Sequence, residues 1–225
     1  MPEHRRPTPG GPKALLFDLD GTLAETDSLH LPTWVDVLRP HGIEVDEAFY
    51  RENISGRANA EIVRDLLPAL SLEEGRSVFE AKEASFRERA GELEPLPGLL
   101  DFLGEIKNRG LQTGLVTNAP GENVGAILPA LKLQDFFDII VLSDEVEAVK
   151  PDPAPYAEAL RRLDVSPEAA LAFEDSVSGI ASAVGAGVPT AGIASTQEPN
   201  KLLKAGVFMV AEDFTDPGLR ALIGA

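Results

Sequence analysis

Asp18 and Asp20 stand two residues apart in Asp18-Leu19-Asp20-Gly21-Thr22, directly after the apolar run Ala14-Leu15-Leu16-Phe17. Two carboxylates this close repel, and each raises the other's pKa in a partly dry site unless a cation or strong donors keep both ionised. The pair therefore asks for a divalent metal. Two plainer explanations compete. Asp-Gly between apolar residues is a strong hairpin signal, so Asp20-Gly21 taken alone is equally well explained by a type I′ turn. A calcium loop of the EF-hand kind is excluded, because the places that need Gly and Glu, counted from Asp18, hold Leu23 and Leu29.

Two further polar groups follow apolar runs without delay. Thr117-Asn118 follows Leu115-Val116, and Glu174-Asp175-Ser176 follows Ala170-Leu171-Ala172-Phe173. A Thr-Asn after a strand is ordinarily a turn or a cap, and Glu-Asp-Ser before a helix is an adequate N-cap. Three independent caps, however, have no reason to follow three buried strands and align with Asp18.

The elements that must position these groups are legible from periodicity. An unbroken apolar run suits a parallel strand buried on both faces, and ligands of such sheets gather at the carboxyl ends of the strands. From about residue 98 onward, helical stripes (Leu99, Phe102, Leu103, Ile106; Val124, Ile127, Leu128, Leu131; Tyr156, Ala159, Leu160, Leu163; Val177, Ile180, Ala181, Val184) alternate with strands ending at Val116, at Ile139–Leu142 and at Phe173. Pro189 to Ile193 and Val207 to Val210 supply two last strands, each with a short helix after it. Between the first strand and this alternation lies a section with helical spacing only: Leu31, Trp34, Val35 and Leu38, then Ile62, Val63, Leu66 and Leu67, then Leu72, Phe79 and Phe86 one heptad apart. The expected architecture is an α/β, doubly wound, parallel Rossmann-like sheet built from residues 1–25 and 94–225, with an α-helical domain, residues 26–93, inserted after the first strand. One sheet edge then carries Asp18, Asp20, Thr117, Asn118, Glu174 and Asp175.

Composition narrows the partners. A net charge of −17 over 225 residues opposes nucleic acid and anionic membrane surfaces, so an anionic small substrate needs a locally positive site. The absence of cysteine excludes a thiol nucleophile and a thiolate metal site and fits a reducing compartment. No stretch has membrane-spanning length, and Met1 to Lys13 reads as a loose tail without the apolar segment of a signal peptide. A cytoplasmic enzyme, monomeric or a weak homo-oligomer, is the expectation.

These residues, taken with Lys150-Pro151-Asp152, resemble the four ordered motifs of the haloacid dehalogenase superfamily: Asp18-x-Asp20-Gly21-Thr22, Thr117-Asn118, Lys150-Pro151 and Glu174-Asp175. The insertion resembles the helical cap of the β-phosphoglucomutase and phosphoglycolate phosphatase branch. The resemblance implies phosphoryl transfer with Asp18 as nucleophile and Asp20 as general acid and base. It implies Mg²⁺ held by the Asp18 carboxylate, the Asp20 carbonyl and Asp175, with Glu174 either a direct ligand or acting through a bound water. Thr117, Asn118 and Lys150 would bind the phosphoryl oxygens.

In the insertion, Thr26, His30, Arg57 and Lys82 fall near the places where that branch handles substrate. For Lys82, a lysine snorkelling beside the Phe79 and Phe86 stripe is a fair alternative, and His30, Trp34 and Arg57 are equally readable as ordinary helix or loop surface. His4 and His41 carry no argument. The resulting expectation is a Mg²⁺-dependent phosphatase for a small phosphate monoester, most simply a sugar phosphate. The alternatives are a phosphosugar mutase resembling β-phosphoglucomutase, in which Arg57 would grip a second phosphate, and a non-catalytic metal-binding protein that kept the fold.

Overall fold

The computed structural model describes residues 10–224. The chain divides into two compact units, one made of the chain up to Glu25 and from Glu94 onward, the other of Thr26–Leu93.

The first unit is built on a sheet in the order β3-β2-β1-β4-β5-β6. Its strands are β1 (Ala14–Phe17), β2 (Gln112–Val116), β3 (Ile139–Val141), β4 (Ala170–Glu174), β5 (Thr190–Ile193) and β6 (Met209–Ala211). Every neighbouring pair is parallel. The central strand β1 pairs with β2 on one side and β4 on the other, so the order reverses beside β1 and leaves the crevice that such sheets use for ligands. Register does the rest. Phe17 is level with Leu115 and with Phe173, which brings the next residue, Asp18, level with Val116 and Glu174.

Both faces of β1 are buried, and successive side chains point to opposite faces. On one face Ala14 and Leu16 pack with Tyr156, Ala159, Leu160 and Leu163 of the helix Ala154–Leu163. On the other, Phe17 stacks on Phe173 at 4.9 Å between centroids, and both rings meet Phe214. Phe102, from the helix Leu99–Asn108, joins the cluster against Phe173 and Phe214.

The second unit is helical: Asp27–Leu38, Glu47–Asn53, Asn59–Leu66 and Leu72–Arg89. Trp34, Leu38, Tyr50, Ile54, Ile62, Val63 and Leu67 form its core. Ser71 and Glu74 close a capping box at the start of the last helix.

Several local expectations change. Leu72 is 95% exposed, because it occupies the first turn of its helix, before the face that packs; the buried positions there are Gly75, Lys82, Glu83 and Phe86. Glu174 is the last residue of β4 rather than the first after it. The third strand stops before Leu142. The last strand starts at Met209, while Val207 packs into a cluster with Ile180 and Leu202. The Asp20-Gly21 turn is not type I′: Gly21 has φ +75, but Asp20 is not among the residues with positive φ, and no hairpin follows. Residues 1–9, with His4, lie outside the described part, and the tail reading ends by Lys13, whose N–H donates to Ala169 O at 2.7 Å.

Candidate active site

Lys150 joins the strand ends. Its ammonium donates to Asp18 Oδ1 at 2.6 Å, Glu174 Oε1 at 2.6 Å and Val116 O at 2.7 Å, which uses all three of its protons. It is buried, as are both carboxylates. Burial alone would favour the neutral amine, but the charges and hydrogen bonds of Asp18 and Glu174 hold the Lys150 pKa above the ordinary lysine value. Asp18 feels the opposite balance. Burial is the largest influence on its carboxyl and pushes its pKa up to about 7; Lys150 opposes this, and the charges of Glu174 and Asp20 add to it. Asp175 is likewise raised well above the usual carboxylate range by burial, then by the charges of Asp18 and Glu174.

Glu174 is fixed from every side. Tyr156 OH donates to Oε1 at 2.6 Å, and the Tyr156 ring lies 5.2 Å from the Lys150 ammonium, within cation–π reach. The other oxygen lies against Gly179, where an added Cβ would fall 1.9 Å from Oε2. Glycine is required there for the carboxylate to approach. The same holds at Gly21, where a Cβ would meet Asp175 Oδ2 at 2.2 Å.

The polar pair after β2 divides its duties. Thr117 Oγ1 accepts from Ala119 N–H at 2.9 Å, leaving its own proton to donate. The Asn118 carboxamide brackets the Lys150 backbone, accepting from Lys150 N–H at 3.1 Å and donating to Lys150 O at 3.2 Å. Its side chain therefore holds the Lys150 loop. Thr22 is buried, and its hydroxyl has no hydrogen-bond partner among the described residues. Asp20, two residues beyond Asp18, is half-buried and makes an isolated bridge to Ala24.

One carboxylate oxygen from each of Asp18, Glu174 and Asp175 lies within 4.8 Å of the others, all buried. Hard anionic oxygens converging in a dry site fit a hard divalent cation. Asp20, expected to contribute through its backbone carbonyl, is not one of the clustered carboxylates.

Of the four residues singled out in the helical unit, two come together. Lys82 is 1% exposed, so it does not snorkel to water. Its ammonium donates to His30 Nδ1 at 2.7 Å and to Glu83 Oε1 at 2.8 Å, and Asn59 donates to the same Glu83 oxygen at 2.6 Å. His30 stacks on Phe86 at 4.3 Å. Arg57 is held elsewhere, donating to Asn53 O at 3.0 Å and pairing with Asp65. Thr26 is buried before the first helix, and its carbonyl accepts from Leu29 and His30 N–H.

The sequence model of haloacid dehalogenase-like hydrolases matches residues 15–193, a span that contains all four motifs. The chain belongs to this family. It is 30% identical to validoxylamine A 7′-phosphate phosphatase of Streptomyces hygroscopicus subsp. limoneus, over 91% of this chain and 95% of that one. It is 32% identical to the phosphorylated carbohydrates phosphatase of Thermotoga maritima, over 86% and 91%. The crystal structure of CbbY from Rhodobacter sphaeroides in complex with phosphate superposes with a TM-score of 0.79 at 31% identity, covering 92% of this chain and 96% of that one.

Sequence reasoning about this haloacid dehalogenase-like hydrolase missed four contributors. Tyr156 reads as one more apolar member of a helical stripe, and nothing in its spacing reveals that its hydroxyl reaches Glu174. Gly179 reads as an ordinary small residue in a helix. Ser195 and Thr196 follow the buried strand β5, and their hydroxyls donate to Gly21 O and Asp175 Oδ2 respectively. The signal that singled out Thr117-Asn118, polar residues just after an apolar run, was present there too.

Proposed function

We propose that this hydrolase removes the phosphoryl group from a small phosphate monoester, a sugar phosphate, using Mg²⁺. Asp18 would attack phosphorus, forming an Oδ–P bond as the bond from phosphorus to the substrate oxygen breaks. Asp20 would give its proton to that departing oxygen, then take one from the water that attacks the aspartyl-phosphate, so that inorganic phosphate leaves and Asp18 is restored. Lys150 neutralises the buried acids around the nucleophile and would put positive charge near the developing oxyanions; Thr117 would donate a further hydrogen bond. Asp18, Asp175 and Glu174, with the Asp20 carbonyl, would hold Mg²⁺, which supplies charge against the phosphate oxygens.

The observation that carries this reading is the Lys150 ammonium pinned between Asp18 and Glu174, beside Asp175, at the point where the strand order reverses. The two phosphatase relatives support the reaction class and, by the words phosphorylated carbohydrates, the substrate class. Residues 26–93 are, in this reading, the cap in which substrate choice lies, with the half-buried His30 its best candidate for a polar contact and the buried Lys82 holding His30 from behind. Such a substrate is a metabolite of the cytoplasm. A mutase needs a second phosphate grip, and the engagement of Arg57 by Asp65 and Asn53 favours the phosphatase.

The test is phosphate release from a panel of phosphorylated sugars and small acids with Mg²⁺. Wild type should turn over at least one, and Asp18→Asn none, with its fold retained. Substantial phosphate release by Asp18→Asn would remove Asp18 from the mechanism.

A further inference from the structure

The loop after β5 reaches back to both acid-bearing loops at once. Ser195 donates its hydroxyl to the carbonyl of Gly21, in the turn that follows Asp18 and Asp20. The next residue, Thr196, donates its hydroxyl to Asp175 Oδ2, at the end of β4. Thr196 also packs sterically, since a Cβ added at Gly21 would lie 2.8 Å from its methyl carbon and 2.2 Å from Asp175 Oδ2. Asp175, the Gly21 turn and Thr196 therefore occupy one small volume, in which the Thr196 hydroxyl faces the carboxylate and its methyl faces the glycine. Asp175 is 4% exposed, and Thr196 is only half-buried.

From this we infer that Thr196 is a positioning residue for divalent-cation binding, an inference that rests on the reading of Asp175 as a cation ligand. A carboxylate ligand is useful only if its two oxygens are held in the right rotation, and the partner that holds it commonly governs metal affinity by about 10- to 100-fold. By holding Oδ2, Thr196 fixes the rotation at which the Asp175 carboxylate is presented to the cation. Ser195 ties the same loop to the Gly21 turn, so that the loop sets the spacing between Asp175 and the Asp18 turn. Thr196 touches neither phosphate nor nucleophile in this account. Its effect belongs on the cation alone.

Two variants separate the hydroxyl from the methyl. Thr196→Val keeps the branched shape and removes the donor; Thr196→Ser keeps the donor and removes the methyl. Mg²⁺ alone is titrated into each metal-free protein by calorimetry, with Asp175→Asn alongside, and thermal unfolding without Mg²⁺ checks that each variant is folded. Thr196→Val should bind Mg²⁺ about 10-fold more weakly, Thr196→Ser should stay within about 3-fold of wild type, and saturating Mg²⁺ should restore the Thr196→Val turnover number.

Wild-type affinity in Thr196→Val, with Asp175→Asn weakened, would overturn the inference and leave the ligand reading standing. Wild-type affinity in both would overturn the two together. Weakening by Thr196→Ser but not by Thr196→Val would assign the effect to packing and overturn the hydrogen-bond role. If Thr196→Val does not fold, Thr196→Ala replaces it under the same criteria.

Discussion

Asp18 must carry a negative charge in surroundings that oppose it, and the consequence is measurable. An unfolded carboxyl gives up its proton near 3.8, whereas folded Asp18 holds it up to about 7 because it is buried. Between those values the folded chain binds more protons than the unfolded chain, so this group lowers stability as pH rises through the window. Asp175, raised in the same direction by burial, adds to the trend. A divalent cation competes with these protons, so the rise in Tm on adding Mg²⁺ should be larger at about pH 8 than at about pH 5. An equal rise at both would show that the cation does not bind these acids. Lys150→Met tests the other partner. It leaves Asp18 and Glu174 buried without their common cation, and breaking a buried pair in this way costs about 3–5 kcal/mol. Urea denaturation without Mg²⁺ should show that loss; a change under about 1 kcal/mol would mean that the acids take up protons at little cost.

Among elements, the helix Val177–Gly185 matters because its third residue is glycine. An alanine at Gly179 would place its Cβ on the Glu174 carboxylate, forcing Glu174 aside and loosening its hold on Lys150. Gly179→Ala should therefore lower stability by about 1–3 kcal/mol, as overpacking does, and reduce turnover at least 10-fold. Unaltered turnover with unaltered Tm would show that Glu174 can move without consequence. The helix Leu72–Arg89 offers a contrast between two residues in the same heptad register. Leu72→Ser should change stability by less than about 0.5 kcal/mol because Leu72 is exposed, while Phe86→Ala should cost about 3–5 kcal/mol because Phe86 is fully buried against His30. Thermal unfolding of the pair checks both.

At the scale of the whole molecule, a net charge of −17 surrounds a site proposed to take a phosphate dianion. Long-range repulsion should slow encounter, and salt should relieve it as the screening length falls from about 30 Å at 0.01 M to about 8 Å at 0.15 M ionic strength. At saturating Mg²⁺, kcat/KM for a phosphorylated sugar should rise across that range while kcat stays level. A steep fall would instead point to a positive surface that guides the substrate. Among the described residues, no helix is long and apolar enough to cross a membrane.

The sequence by itself determined the strands and the acids at their ends, because apolar runs buried on both faces are written in consecutive residues and Asp18, Thr117 and Asp175 follow their strands directly. It also determined that a helical segment separates β1 from the later alternation of strands and helices. Tertiary structure alone decided what each functional group touches. The register of β1 with β2 and β4 brings Asp18 level with Glu174, and Lys150, 132 positions from Asp18, closes the pair. The Asn118 carboxamide turns to the Lys150 backbone, Tyr156 reaches out of an apolar stripe to Glu174, and Lys82 finds His30 and Glu83 instead of water. Hydrophobic pattern is local in the chain and repeats with the period of each element. A hydrogen bond between distant side chains depends on how elements pack, and no spacing in the sequence encodes it.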